Sequence, residues 1–166
     1  NYGYWRCFDK NWSQKDFFDY GKFVDKNLIE YPQDKINKLS YKKNKKINLG
    51  ILSADLKSGH SITFFLKTIL SNYNKEEIEV YLISNQIDID SISSEIKNLV
   101  HENIDISGLN DLNAFNKIRE LNLDIIIDVM GYTSRNRIGL FKNRIAKKQA
   151  IWMGYCNTTG LKNMDY

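Results

Sequence analysis

The chain has 166 residues, 24 Lys and Arg against 20 Asp and Glu, a formal net charge of +4, and 42% hydrophobic residues. Such a length and balance suit about one globular domain with a core of its own. They exclude several classes: no apolar run approaches the roughly 20 residues of a membrane span, the charge alone is too mild to imply nucleic acid, one proline argues against a disordered tail, and two cysteines, Cys7 and Cys156, are too few for a disulfide framework or a cysteine-based zinc site.

In chain order, Asn1 to Lys10 mix aromatics with charges and lack the apolar stretch of a signal peptide. With so few cysteines, a reducing cytoplasm is the expected compartment. Ser13 is placed to cap a helix whose apolar side is Phe17, Tyr20, Val24 and Leu28, and Tyr31-Pro32 is expected to end it, because a residue before proline avoids helical angles. Lys42, Lys43, Lys45 and Lys46 form a basic run, read as a solvated connector or, alternatively, as a phosphate-attracting patch. Residues 1–46 are thus expected to be a helical extension and connector, and residues 47–166 a separate lobe.

After Lys46 the pattern changes. Ile47 to Ser53 is a short apolar run fit for a buried strand. Ile62, Phe65, Leu66, Ile69 and Leu70 fall on one helical face. Ile78 to Ile83 reads as a second strand, and Ile92, Ile96, Leu99 and Val100 as a second helix. Asn103 to Ile106 is a third strand, followed by a helix marked by Leu112, Phe115, Ile118 and Leu121. Leu123 to Met130 is the most strand-like run, a short helix is expected over Asn136 to Asn143, and Ala150 to Met153 is a fifth strand.

Strands alternating with helices imply right-handed crossovers and a mostly parallel, doubly wound α/β sheet of the Rossmann-like kind. No internal repeat or low-complexity stretch interrupts it. Gly154 to Tyr166 follows the last strand with no closing helix, so the sequence is expected to be a fragment, or another lobe to begin here.

In an open parallel sheet, ligands bind beyond the carboxyl ends of the strands where the strand order reverses. With the order 3-2-1-4-5, three loops share that rim: Ala54 to Ser61, Gly131 to Arg135, and Gly154 to Gly160. The first lacks both the dinucleotide glycine pattern and the P-loop, so no dinucleotide cofactor is expected, and no metal-ligand spacing occurs. His60, at the start of the following helix, either caps that helix or donates to a sugar or phosphate oxygen, or acts as a base. In the second loop Gly131 permits a sharp turn, and Tyr132 either packs or stacks on a sugar. Arg135 and Arg137 are read as solvated loop residues or anion contacts. The third loop offers the hydroxyls, amide and free N–H groups of Tyr155, Asn157, Thr158 and Thr159, suited to polyol or phosphate oxygens. Cys156 has no histidine near it in sequence to activate it as a nucleophile, and His101 belongs on the opposite edge as a structural residue.

These loops, in this order, resemble one family. Gln149-Ala150-Ile151-Trp152-Met153-Gly154-Tyr155-Cys156-Asn157-Thr158-Thr159-Gly160, with Met164-Asp165-Tyr166 after it, is similar to the segment closing the first catalytic lobe of protein O-GlcNAc transferases, closest to bacterial members that carry tetratricopeptide repeats. Asp128-Val129-Met130-Gly131-Tyr132-Thr133, followed by Asn136-Arg137 and Phe141, resembles the preceding strand and loop. Ser53-Ala54-Asp55, His60-Ser61 and Phe64-Phe65-Leu66 resemble the first strand and its histidine loop.

The resemblance implies the GT-B fold, two Rossmann-like lobes with the sugar nucleotide between them. It implies inverting transfer of GlcNAc from UDP-GlcNAc to Ser or Thr hydroxyls of proteins, with the donor a substrate and no cofactor. His60 then corresponds to the family's active-site histidine, Tyr132 to a residue near the sugar, and Met153 and Gly154 to the GlcNAc pocket. The expected site is His60 as catalytic residue, with Ser61, Gly131, Tyr132, Thr133, Met153, Gly154, Tyr155, Asn157, Thr158 and Thr159 binding substrate. The expected partners are a UDP-sugar, a protein or peptide acceptor and a C-terminal catalytic lobe of the same chain, with no nucleic acid. Alternatives are a binding module of the same fold, or a GT-B transferase with another donor or acceptor. The sequence departs from the family where Cys156 replaces a usual proline, where Ile145-Ala146-Lys147-Lys148 replaces a proline-alanine-proline stretch, in one extra residue between Asp55 and His60, and in having no second histidine motif before Lys46.

Overall fold

The structure, a computed structural model, describes residues 2–31, 46–87 and 90–166. Two helices come first, α1 (Tyr2–Arg6) and α2 (Gln14–Asn27). Ser13 caps α2 in a capping box: its hydroxyl accepts the Asp16 N–H, and the Asp16 carboxylate accepts the Ser13 N–H at 2.7 Å. Such a cap is worth about 1 kcal/mol. The helix stops at Asn27, before the expected Tyr31-Pro32 boundary. The reason is tertiary: Asn143 draws the following chain out, accepting the Tyr31 N–H at 2.7 Å and donating to the Ile29 carbonyl at 3.2 Å. Pro32, Lys42, Lys43 and Lys45 lie outside the described residues, and Lys46 reaches to within 4.0 Å of Glu79.

Five strands follow: β1 (Ile47–Ser53), β2 (Ile78–Ser84), β3 (Glu102–Asp105), β4 (Ile125–Asp128) and β5 (Lys148–Ile151). They pair in the order β3-β2-β1-β4-β5, every pair parallel, as the alternation of elements predicted. The helices α3 (Ser61–Asn72), α4 (Ser91–Lys97) and α5 (Asp111–Glu120), with a 3₁₀ turn over Ile138–Lys142, cover both faces. Adjacent strand residues point to opposite faces, and the core divides accordingly. Ile51, Val80 and Leu82 pack with Leu66, Leu70 and Ile96 on one side; Leu52, Ile83 and Ile126 pack with Ala114, Phe115 and Ile118 on the other. Tyr4, Cys7, Tyr20, Val24 and Leu28 of the N-terminal segment pack against this second cluster.

Three expected elements shift. β4 ends at Asp128 rather than Met130, because the Asp128 carboxylate takes the Met130 and Gly131 N–H groups and bends the chain out of the ladder. The expected helix after it is a five-residue 3₁₀ turn, and β5 spans Lys148–Ile151 rather than Ala150 to Met153. Met153 stands at φ 66° and cannot continue a strand. Among the described residues no helix is long and apolar enough to cross a membrane.

Candidate active site

The β1 loop is built around Asp55 and Thr63. The Thr63 hydroxyl donates to the Asp55 carbonyl at 2.7 Å and accepts the Lys57 N–H at 2.9 Å. This fold-back puts His60 at the N-cap of α3, its Nδ1 accepting the Ile62 N–H at 3.3 Å. A ring nitrogen that accepts carries no proton, so the neutral ring holds its proton on Nε2. That nitrogen faces Asp55 Oδ2 at 3.6 Å, beyond hydrogen-bond length but near enough to orient the ring. The capping reading of His60 is the one observed, and its ring stands half-exposed at the rim.

The β4 loop is pinned from inside. Asp128 is fully buried and accepts the Met130 N–H at 2.9 Å and the Gly131 N–H at 3.0 Å. Burial pushes its carboxyl up to about 7, against the two N–H groups that favour the charged form. The Thr133 hydroxyl donates to the Met130 carbonyl at 2.8 Å, completing the turn, and the Ala54 N–H points to the Met130 sulfur at 3.3 Å. The buried carboxylate thus shapes the second loop, and the Met130 sulfur it positions meets the first.

The β5 loop leaves the sheet at Trp152, whose N–H donates to the Asp128 carbonyl at 2.9 Å. Gly154 lies so close to the Val129 carbonyl that any side chain would collide with it. Tyr155 turns inward, edge-on to Tyr132 with ring centroids 5.4 Å apart.

The three loops meet as expected, on the carboxyl rim of β1, β4 and β5. A cavity of about 370 Å³ there is lined by His60, Ser61, Thr133, Met153 and Gly154, together with Tyr4, Asp55, Ile62, Phe65 and Ser134. Several hundred Å³ is the size of a small-ligand site. Beside it, sharing Met153, an open groove of about 780 Å³ runs between α2 and the β5 loop, lined by Gln14, Phe18, Trp152, Tyr155, Cys156, Asn157 and Thr158 among others.

Three expected binding residues line neither space. Tyr132 and Thr159 are buried and bonded to each other, the tyrosine hydroxyl donating to the Thr159 carbonyl at 2.7 Å, and Gly131, at φ +55°, packs beneath the Tyr155 ring. They form the floor under the loops. The Tyr132 and Tyr155 hydroxyls are both raised by burial. Arg137 also departs from the expected solvated loop residue. Its guanidinium pairs with Asp111 at 2.7 Å and donates to Asn85 and to the Ile106 and Leu109 carbonyls, so it clamps the β2, β3 and β4 ends together. His101 lies at the far edge by Tyr81, as expected.

Tyr4, Phe65, Ser134, Gln14 and Phe18 line the two spaces without having been expected there. Phe65 was legible only as a helix-face residue. Tyr4 carries no local signal, because it arrives through the packing of α1. Among the described residues no three His, Cys, Asp or Glu side chains cluster as a metal site requires.

Comparison with known proteins follows the same outline. The model of Glycosyl transferase family 41 matches residues 18–166. The probable UDP-N-acetylglucosamine–peptide N-acetylglucosaminyltransferase SPINDLY of Arabidopsis thaliana is 29% identical over 124 residues, 72% of this chain and 14% of that protein. The UDP-N-acetylglucosamine–peptide N-acetylglucosaminyltransferase of Caenorhabditis elegans is 26% identical over 132 residues, 78% of this chain and 11% of that protein. The chain therefore spans about an eighth of the length of these relatives. A solved structure of a mutant O-GlcNAc transferase from Thermobaculum terrenum superposes with a TM-score of 0.81 at 22% identity, over 97% of this chain and 31% of that one, a likeness of fold.

Proposed function

Because the chain belongs to glycosyl transferase family 41, we propose that it is the first lobe of a transferase that moves GlcNAc from UDP-GlcNAc to Ser or Thr hydroxyls of proteins. The printed names of its relatives support the donor and acceptor classes. The observation that carries the reading is the convergence of His60, Ser61, Thr133, Met153 and Gly154 on one cavity at the carboxyl rim of the sheet.

In this reaction the acceptor oxygen attacks the anomeric carbon, the bond to the diphosphate breaks, and the acceptor proton leaves. The lobe contributes positioning, which turns a two-body encounter into an oriented one. The Thr133 and Ser61 hydroxyls and the loop N–H groups suit sugar oxygens, and Phe65 and Met153 supply apolar walls. By family resemblance, UDP contacts and a lysine facing the departing diphosphate belong to a second lobe. Tetratricopeptide repeats elsewhere in the protein and a cytoplasmic location are parts of the same reading.

His60 works here as a hydrogen-bond donor. Its Nδ1 lone pair is occupied by the Ile62 N–H, and Nε2 carries the proton. Asp55 Oδ2 faces Nε2 at 3.6 Å and lines the same cavity. Kinetics of the complete protein with UDP-GlcNAc and an acceptor peptide test this. His60→Ala removes cap and donor together, and should lower kcat/KM by about 10²-fold or more. His60→Asn keeps a capping oxygen and an N–H donor, and should stay within about tenfold of wild type. An asparagine variant as inactive as the alanine variant would mean that the ring takes a proton. An unchanged rate in both would remove His60 from the site.

A further inference from the structure

Of the described residues that line the cavity at the carboxyl rim, all but Tyr4 belong to the loops after β1, β4 and β5 or to α3. Tyr4 comes from α1, in the segment before the sheet. The family match begins at residue 18, so α1 lies outside it.

The residue beside Tyr4 brings it there. Gly3 is buried, and a Cβ on it would stand 2.7 Å from the Tyr20 ring and 3.2 Å from the Tyr132 ring. A glycine lets α1 seat that closely on the two rings. Tyr132 is itself fixed, its hydroxyl bonded to the Thr159 carbonyl, so α1 rests on the floor of the site. The seat is braced from α2 and the turn before it: Tyr2 meets Tyr20 with centroids 5.5 Å apart, and Trp12 meets Tyr20 at 5.8 Å. Tyr4 packs partly on the core cluster that contains Tyr132 and Tyr155, with Trp5 and Phe8 edge-on to its ring at 5.7 and 5.6 Å. Among the described residues its hydroxyl has no hydrogen-bond partner. The ring is held in place from behind, and its polar tip is uncommitted.

We propose that Tyr4 binds the donor sugar, its ring taking the C–H face of the GlcNAc, so that the helical extension completes a pocket built otherwise by the α/β lobe. The inference rests on the function proposed above and adds a residue to that same site. One face of a hexose is made of C–H groups, which an aromatic ring covers both by apolar burial and by its negative face. The same cavity holds the Ser61 and Thr133 hydroxyls and the His60 ring, which suit the sugar's oxygens. Aromatic walls with a few placed polar groups are the usual make-up of a small-ligand site.

The test titrates the complete protein calorimetrically with UDP-GlcNAc and, separately, with UDP. Tyr4→Leu keeps an apolar side chain on the core beneath and removes the ring. It should weaken UDP-GlcNAc about tenfold and leave the affinity for UDP, which lacks the sugar, unchanged. Tyr4→Phe keeps the ring and should stay within about threefold of wild type for UDP-GlcNAc. A leucine variant that binds UDP-GlcNAc as wild type does would overturn the inference. So would an equal loss for both ligands, the mark of a displaced α1 rather than a lost sugar contact. A phenylalanine variant as weak as the leucine variant would overturn it too, because the hydroxyl and not the ring face would then carry the contact. Wild-type protein that binds neither ligand would count against the function proposed above and take this inference with it, whereas wild-type binding with an unaffected leucine variant removes Tyr4 alone.

Discussion

Asp128 is the residue on which the site's shape turns. Its two carboxyl oxygens receive the two N–H groups that begin the Gly131 to Arg135 loop, and its own carbonyl receives the Trp152 N–H that begins the next. The carboxyl is buried, so its pKa is raised from the ordinary carboxylate value to about 7. The sign for stability follows from the proton count. Below about pH 4 folded and unfolded chains both hold this proton. Between about 4 and 7 only the folded chain does, so stability falls as pH rises through that window and levels off above it. Asp9, Asp16, Asp90, Asp105 and Asp165 are all lowered and act in the opposite sense, below about pH 4. In Asp128→Asn the amide nitrogen replaces one acceptor and leaves an N–H unpaired, a cost of about 1–3 kcal/mol. The variant should also lack the slope between pH 4 and 7. Urea unfolding of both proteins across pH 4–8 checks this; a wild-type-minus-variant difference that is constant with pH would show that the carboxyl is ionised throughout.

At the scale of elements, the decisive contact is α2 against the β5 loop. Gly21 on the helix meets Thr159 and Gly160 backbone to backbone, and a Cβ there would strike the Thr159 carbonyl. The same helix places Tyr20 edge-on to Tyr132, with centroids 5.4 Å apart, and Asp25 3.0 Å from the Lys142 ammonium. The N-terminal helix thus braces the floor of the site. The prediction has an informative sign. On a solvent-facing helix, glycine to alanine stabilises by about 1 kcal/mol. Here Gly21→Ala should destabilise by about 1–3 kcal/mol through overpacking, read as a lowered thermal midpoint. A raised midpoint would mean that α2 does not dock on the loop. Nothing near Gly21 in sequence announces this role, since its partner lies more than a hundred positions away.

At the scale of the molecule, both spaces open on the carboxyl rim of a five-stranded sheet, and among the described residues that line them are hydroxyls, amides, an imidazole, a carboxylate and apolar rings, with no lysine or arginine. A departing diphosphate needs fixed positive charge or N–H groups aimed at it. Of the cations in or beside the three loops, Lys57 and Arg135 line neither space, and Arg137 is committed to Asp111 and to the strand ends. The 166-residue chain alone should therefore show no measurable transfer from UDP-GlcNAc to a peptide, whereas the complete protein should. Turnover by the isolated chain, followed by release of UDP, would contradict the division of labour between lobes.

The sequence by itself determined the sheet. Ile47 to Ser53 and Ile62 to Leu70 show unmixed strand and helix periodicities. Such patterns are local, because each element must bury its own face, and alternating elements allow few topologies. The strand order and the convergence of His60, Thr133, Met153 and Gly154 follow from that topology. The ends of β4 and β5 did not follow, because a buried carboxylate and a positive φ at Met153 set them. Nor was it readable that Tyr132 and Thr159 bond to each other beneath the site, that Arg137 is a clamp, or that Tyr4 lines the cavity. Each of these depends on a partner far along the chain, and whether a side chain is spent on a neighbour or offered to a ligand is decided only when the packed fold brings that neighbour within reach.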